Sequence, residues 1–270
     1  MKLTSPSRRA YLILLLMVAA LVAVMALPPI AQDPTYHDFA DNRTFFGIPN
    51  FLDVTTNLAF LAVGIAGVWL CASSRRAMSA RWSWMACFIG VALVCFGSGY
   101  YHLAPDNGTL VWDRVPMSVG LMGLSVAVLA EHLNLRLEKI LLVPAILFGI
   151  ASVVVWHVAD DLRLYAWVQF MPLLVIPAVL FLFDSPYTHR RLLLVALAIY
   201  AVAKLAEHYD RAVFAVTGEI ISGHSLKHLL AALALLVVYG MLRGRTWRSG
   251  PAESAAGAAR AKHSAIRELL

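Results

Sequence analysis

Long apolar stretches separated by short polar segments make up most of the chain as far as about residue 242. Each stretch is continuously apolar rather than alternating, and it reaches or approaches the roughly 20 residues that a helix needs to cross a bilayer. The pattern predicts eight membrane-spanning helices, at about residues 11–30, 51–72, 84–101, 112–130, 139–157, 164–183, 191–207 and 224–242. We therefore expect an all-α membrane protein.

The composition supports a membrane protein and argues against a soluble domain. Hydrophobic residues make up 60% of the chain and charged residues only 14%, and the mean hydropathy is +0.73. Soluble domains have about 25% charged residues. A chain with so few charges is expected to be surrounded by lipid rather than water.

The net charge of +6 is unevenly distributed between the two ends of the predicted spans. If the amino terminus is cytoplasmic, most Lys and Arg residues outside the spans lie on the inner side, and the outer side holds Arg43, Arg114, Arg163 and Arg211. The positive-inside rule then predicts that both termini are cytoplasmic. The membrane is expected to be the inner membrane of a bacterium. The charge is explained by topology, so no nucleic-acid partner is expected, and no segment indicates a protein partner.

Three regions follow from the pattern. Residues 1–32 hold the N-terminal cytoplasmic start and the first span, residues 33–243 the main helical core, and residues 244–270 a tail rich in Ala, Ser, Gly and Arg that we expect to be flexible and cytoplasmic. The first span could instead be a signal peptide. Because Pro28 and Pro29 interrupt the best place for a cleavage site, a retained helix is favoured.

Polar residues inside a membrane span are costly, so each is a candidate for function. Ser98 and His102 are four apart and share one face at the outer end of the third predicted span. The run PDNG then breaks the helix, and the hairpin returns Asp113 to the depth of His102. The eighth span enters from the same side with His224 and His228, again four apart. Topology therefore predicts that these five residues lie at one level.

Three imidazoles and a water are the ligand set of an open, catalytic zinc site. Such an ion lowers the pKa of its water to about 7. Asp113 could orient or deprotonate that water, and Ser98 could donate a hydrogen bond to it or to an oxyanion. Taken singly, an HxxxH pair arises by chance in helix-packing faces, and an Asp at a helix start is commonly a cap. Their common depth favours a metal site.

Other polar residues near the proposed site are given supporting roles. Glu207 and Asp210 end the seventh span and are candidate partners for a histidine N–H, which would orient the metal ligands. Lys227 is expected to point away from its two neighbouring histidines and to extend outward.

Two further polar pairs have simpler explanations. Asp53 and Asn57, four apart inside the second span, are expected to hydrogen-bond neighbouring helices and to fix the bundle rather than to act in catalysis. Glu131 and His132 fall at the inner boundary, where solvation would explain them.

The arrangement of these motifs resembles the alkaline ceramidases, which belong to a wider superfamily of seven-helix membrane hydrolases and receptors. The matching segments are NFLDVTTNLAF (50–60), SGYYH (98–102), WD (112–113) and GHSLKH (223–228). They extend over about residues 36–242. The combination of SxxxH, an Asp eleven residues after that His and a late HxxxH is specific, whereas no single element is.

The resemblance implies a seven-helix transmembrane bundle, to which this chain adds one extra N-terminal transmembrane helix. It implies that zinc is bound by His102, His224 and His228, with Asp113 and Ser98 completing the catalytic site. It also implies hydrolysis of the amide bond of ceramide, a membrane lipid, which releases a long-chain base and a fatty acid.

Members of that family also carry a calcium site just before and at the first core helix. The corresponding segment here offers Asp38, Asp41 and Asn50, whose side-chain oxygens are ligands that calcium prefers. The alternative interpretation is a solvated acidic loop.

The leading hypothesis is therefore a zinc-dependent amide hydrolase of ceramide or a related N-acyl lipid. Two alternatives use the same bundle. One is a non-enzymatic membrane receptor or metal-binding protein, since a fold does not determine function. The other is an esterase that acts on a glycerolipid or a lipid anchor with the same metal centre.

Overall fold

The computed structural model describes residues 8–73, 78–185 and 187–247, and these residues form an all-α protein. The helices are α1 (Arg8–Met25), α2 (Phe51–Thr55), α3 (Leu58–Ser73), α4 (Arg81–Leu103), α5 (Asn107–His132), α6 (Arg136–Ala159), α7 (Arg163–Leu182), α8 (Leu192–His208), α9 (Asp210–Val216) and α10 (Gly223–Gly244). A short 3-10 helix, Pro34–His37, lies between α1 and α2.

Seven of the described helical segments are long and apolar enough to cross a membrane, with α2 and α3 taken as one span. The helix α8 follows the same pattern when it is joined to α9, which bends away from it by 88°. These spans confirm the predicted all-α membrane protein, with a seven-helix bundle and the extra helix α1. They indicate a multi-pass membrane protein.

Three spans depart from the predicted bounds. The first helix ends at Met25 rather than at residue 30, ahead of Pro28 and Pro29. The second span is interrupted between Thr55 and Leu58, so that it forms α2 and α3. The fourth begins at Asn107 instead of residue 112, because Asp106 and Thr109 form a reciprocal capping box at its start.

Glycines allow α4 and α5 to pack with their backbones in close contact. A Cβ added at Gly97 would lie 1.9 Å from the carbonyl oxygen of Trp112, and one at Gly90 would lie 2.5 Å from the backbone nitrogen of Gly120. Small residues permit such approaches between membrane helices. As a result, Ser98 and Asp113 lie side by side. They follow Gly97 and Trp112 in the sequence.

The helices α8 and α10 approach in the same way. A Cβ at Gly223 would lie 2.0 Å from the carbonyl oxygen of Ala206. The extra helix α1 packs on the outside of α7, where Trp167 Nε1 donates to the carbonyl oxygen of Met17 at 3.2 Å. Most of its surface is exposed, as expected for a helix that faces lipid.

The end of the bundle that carries His102, His224 and His228 is called the histidine end below. At the opposite end, Glu131 is buried and forms a two-point salt bridge with Arg245, with distances of 2.7 Å. Trp84 Nε1 also donates to this carboxylate. Glu131 is therefore a packed residue that joins α4, α5 and the end of α10, and the expectation that solvation explains it was wrong.

The tail begins later than predicted. Arg245 is held by Glu131, and the Trp247 ring packs edge-on against Tyr187 at 5.3 Å between centroids. Residues 245–247 are thus part of the packed structure. The rest of the predicted flexible tail, residues 248–270, lies outside the described residues.

Candidate metal centre and catalytic site

The structure brings together the three histidines that the sequence analysis selected. His102 comes from the last turn of α4, and His224 and His228 come from the first two turns of α10. One ring nitrogen of each lies within 4.8 Å of the others, and all three side chains are buried. Among the described residues this is the one group of His, Cys, Asp or Glu side chains with metal-binding spacing.

The environment of the His102 side chain is unusual for a buried polar group. It is fully buried, and in the described part of the chain neither Nδ1 nor Nε2 has a hydrogen-bond partner. A buried polar side chain without partners is costly, and such side chains are rare in proteins. A metal ion would satisfy this imidazole.

His228 is oriented by Thr56, at the break between α2 and α3. The Thr56 hydroxyl donates to the carbonyl oxygen of Leu52 at 2.6 Å, and its oxygen lies 3.0 Å from His228 Nδ1. Because a hydroxyl has one proton, the second contact requires the proton to be on Nδ1. The Nε2 lone pair of His228 is then free for a metal.

His224 is held by Asp210 and Lys227. Its backbone N–H donates to Asp210 Oδ1 at 2.7 Å, which satisfies one of the free N–H groups at the start of α10. The Lys227 ammonium donates to His224 Nε2 at 2.8 Å and to Glu207 Oε1 at 3.0 Å. The expectation that Lys227 points away from the histidines was therefore wrong, because Glu207 attracts it inward.

Glu207 and Asp210 both lie at the site, but through different contacts from those expected. Glu207 forms salt bridges with Lys204 and Lys227 and accepts from the Tyr36 hydroxyl. Within the described contacts, neither carboxylate accepts a hydrogen bond from an imidazole. Of the two, only Asp210 contacts a histidine directly, through the backbone of His224.

Ser98 and Asp113 line a cavity inside the bundle together with His228. Both side chains are buried, with 1% and 7% of their surface exposed. The cavity has a volume of about 270 Å³. At the histidine end its wall is polar, and from there it continues between α4, α5, α7, α8 and α10 with mostly apolar side chains.

The segment before the core covers the histidines. The Phe39 ring lies 4.8 Å from the His102 ring and 4.7 Å from the His224 ring, measured between centroids. The backbone N–H of Ala40 donates to Asp210 Oδ2, which holds this segment against the start of α10. Phe39 and Thr56 were not predicted from the sequence, because a Phe in a loop and a Thr in a span have no local pattern that indicates contact with the histidine cluster.

The packing role predicted for Asp53 is confirmed. Its carboxylate accepts from Ser225 Oγ at 2.5 Å and from Ser222 Oγ at 3.4 Å, which joins α2 to α10. Asn57 differs, since its amide donates to the carbonyl oxygen of Asp53 in the same span rather than to a neighbouring helix.

The residues proposed for calcium have other partners in this structure. Asp38 pairs with Arg211, Asp41 pairs with Arg43, and the Asn50 amide donates to the carbonyl oxygen of His102. Burial raises the pKa of the Asp41 carboxyl, but hydrogen bonds from Arg43 outweigh it and the pKa lies below its usual value. A calcium ion would have to displace both arginines, and calcium binding stays a prediction.

The three histidines fit an open zinc site better than a closed, structural zinc site, which would have four protein ligands. They offer three buried nitrogen donors and no thiolate, and three protein ligands leave one position for water. Among the described residues, the Lys227 ammonium is the group that contacts His224 Nε2 and would compete with an ion there. It keeps Glu207 as a partner if an ion takes that position.

Comparisons with protein-family models, with curated proteins and with solved structures find no match to this chain. The resemblance to the alkaline ceramidases stays a prediction from the motifs.

Replacing Thr56 by valine is expected to weaken zinc binding by about 10- to 100-fold, as loss of a partner of a metal ligand does. Valine keeps the shape but cannot accept the His228 Nδ1 proton. The measurement is competition for zinc against a chromogenic chelator. Thr55→Val is the matched control, because the Thr55 hydroxyl also donates to a carbonyl one turn back, and among the described hydrogen bonds it has none to His228. Equal zinc affinities for the two variants would contradict the assignment.

Proposed function

We propose that the protein is a zinc-dependent intramembrane amidase that hydrolyses the amide bond of ceramide or a related N-acyl lipid. The observation that supports the proposal most directly is a cluster of three buried histidines, of which His228 lines the polar end of an apolar cavity together with Ser98 and Asp113. A receptor would not require a carboxylate and a hydroxyl beside an open metal position, whereas hydrolysis uses both.

The shape of the cavity suits a lipid substrate. Its wall includes α5 residues from Asp113 to Leu124, and eleven helical steps of about 1.5 Å extend over roughly 16 Å. Along this length the side chains from α5, α7 and α8 are largely apolar. An acyl chain could occupy this part while the amide group stays at the histidine end.

In the proposed reaction, His102, His224 and His228 would hold a zinc ion, which when bound would provide a Lewis acid and an activated water. Asp113 accepts the proton of the attacking water and passes it to the amide nitrogen as the carbon–nitrogen bond breaks. The Ser98 hydroxyl donates a hydrogen bond to the carbonyl oxygen as negative charge develops on it. The products are a fatty acid and a long-chain amine.

Metal removal tests this proposal directly. Dialysis of the detergent-purified protein against a zinc chelator is expected to abolish the release of labelled fatty acid from ceramide, and zinc is expected to restore it where calcium does not. A diacylglycerol with the same acyl chain, assayed in parallel, tests the esterase alternative. Preferred release from the glycerolipid would replace the amidase by an esterase. Release from neither lipid, in protein that holds one zinc per chain, would contradict the hydrolase proposal for these substrates.

A further inference from the structure

The wall of the cavity contains a second polar group that the proposed amide chemistry does not use. Arg114 follows Asp113 on α5 and lines the same cavity. Only 5% of its surface is exposed. Its Nη2 donates to Gln32 Oε1 at 2.7 Å, but its Nη1 is buried without a hydrogen-bond partner in the described part of the chain.

Aromatic rings hold the Arg114 guanidinium in place. Its central carbon lies 3.9 Å from the centroid of the Trp156 ring, 4.7 Å from that of Tyr165 and 5.7 Å from that of Tyr36. The faces of aromatic rings attract a cation but carry no net charge. Within the described ranges Arg114 forms no salt bridge with a carboxylate, so the rings stabilise its charge without a directly paired counter-ion.

The charges in this wall, taken together, leave an excess of positive charge. Lys204 and Lys227 share a single carboxylate, Glu207. Tyr36 connects this cluster to the arginine, since its hydroxyl donates to Glu207 and its ring faces Arg114. With Asp113 included, three cations face two carboxylates around the polar end of the cavity. An unpaired buried charge is strongly unfavourable, so an anion would be attracted to this place.

We propose that the polar end of the cavity binds an anionic group of its lipid ligand, a phosphate or a carboxylate, with Arg114 as the principal donor. A guanidinium suits this role because its planar N–H groups match the oxygens of either anion, and here the rings already fix its orientation. The inference rests on the proposed function for the place of the amide. It implies that the preferred substrate is an anionic N-acyl lipid rather than neutral ceramide.

Binding measurements on lipids with one common acyl chain test this inference. The set is ceramide, ceramide 1-phosphate, N-palmitoylglycine and palmitate, and their dissociation constants are measured by native mass spectrometry on the detergent-solubilised protein. For the wild type, we expect the phosphate lipid, the carboxylate N-acyl lipid or both to bind at least about tenfold tighter than ceramide, a difference of about 1.4 kcal/mol. The lipid that binds more tightly shows whether the site prefers a phosphate or a carboxylate. A preference for palmitate alone would overturn the substrate inference.

Variants assign the preference to Arg114. Arg114→Gln is expected to remove it, and Arg114→Lys to weaken it at least threefold, since lysine keeps the charge but not the planar donors. If the glutamine variant does not fold, unchanged anion binding by Arg114→Lys overturns the inference. The control is Arg211→Gln, which removes an exposed arginine at the same end that pairs with Asp38. A preference for anionic lipids that persists in a folded Arg114→Gln protein also overturns the inference.

Zinc content and amide hydrolysis are measured on the same samples, which separates the two proposals. An Arg114-dependent anion preference without zinc or hydrolysis would support the anion site and contradict the amidase. Hydrolysis of ceramide without any anion preference would support the amidase and contradict the anion site.

Discussion

Replacing His228 by alanine is expected to remove both bound zinc and amide hydrolysis. His228 provides one of three nitrogen donors that lie within 4.8 Å of one another, and the contact of its Nδ1 with Thr56 leaves the Nε2 lone pair free for a metal. With two donors left, the loss of zinc affinity should exceed the roughly 100-fold that changes next to a ligand cause. Elemental analysis of the purified variant and release of labelled fatty acid check the two effects.

The same result is expected for His102→Ala and His224→Ala. His208→Ala is the control, because His208 ends α8 at the histidine end but is exposed and outside the cluster. It should keep about one zinc per chain and the wild-type rate. Full zinc occupancy in the His228→Ala protein would contradict the assignment of His228 as a ligand, and a wild-type protein without zinc would make the cluster a packing feature.

Replacing Asp113 by asparagine is expected to separate chemistry from metal binding. Asparagine has nearly the same shape but cannot accept the proton of the attacking water. The turnover number should fall by about 10²- to 10⁴-fold, the usual contribution of a general base. Zinc content should be unchanged, since the three histidine donors are intact. Single-turnover hydrolysis in parallel with elemental analysis measures both quantities.

Asp106→Asn is the matched control for this substitution on the same helix. Asp106 caps the start of α5 by accepting from the Thr109 backbone N–H, and asparagine is about as good a cap. Its rate and stability should match those of the wild type. Wild-type turnover in Asp113→Asn would exclude Asp113 as the proton acceptor, and loss of zinc would make it a metal ligand instead.

The hydrophobic pattern was enough to predict the fold class and most spans. A helix that crosses a bilayer must satisfy its own backbone hydrogen bonds and present about 20 apolar residues to lipid, so the membrane leaves few alternatives. The pattern also located His102, Asp113, His224 and His228 at one end. Spacing of four places residues on one face, and a tight hairpin returns the chain to the same depth. Both features depend only on residues close together in the chain, so they can be predicted from the sequence.

The neighbours of each site residue depend on contacts between distant segments. Thr56 lies 172 positions from His228, and Tyr36 lies 171 positions from Glu207. Lys227 was expected to extend outward because a lysine near a membrane boundary usually does. Glu207 of a neighbouring helix instead holds it within the cavity wall. Glu131 was misjudged for the same reason, since its partner Arg245 follows the last helix.

The sequence by itself determined that this is an all-α membrane protein and that three histidines, a serine and an aspartate lie at one depth. Only the tertiary structure decided which ring nitrogens are free, that Phe39 covers the histidines, and that Arg114 lies in the cavity wall without a carboxylate partner. The physical reason is that depth follows from apolar length and helical period. Contacts follow from how the helices rotate and approach, which here depends on glycines such as Gly97 and Gly223 packed against neighbouring backbones.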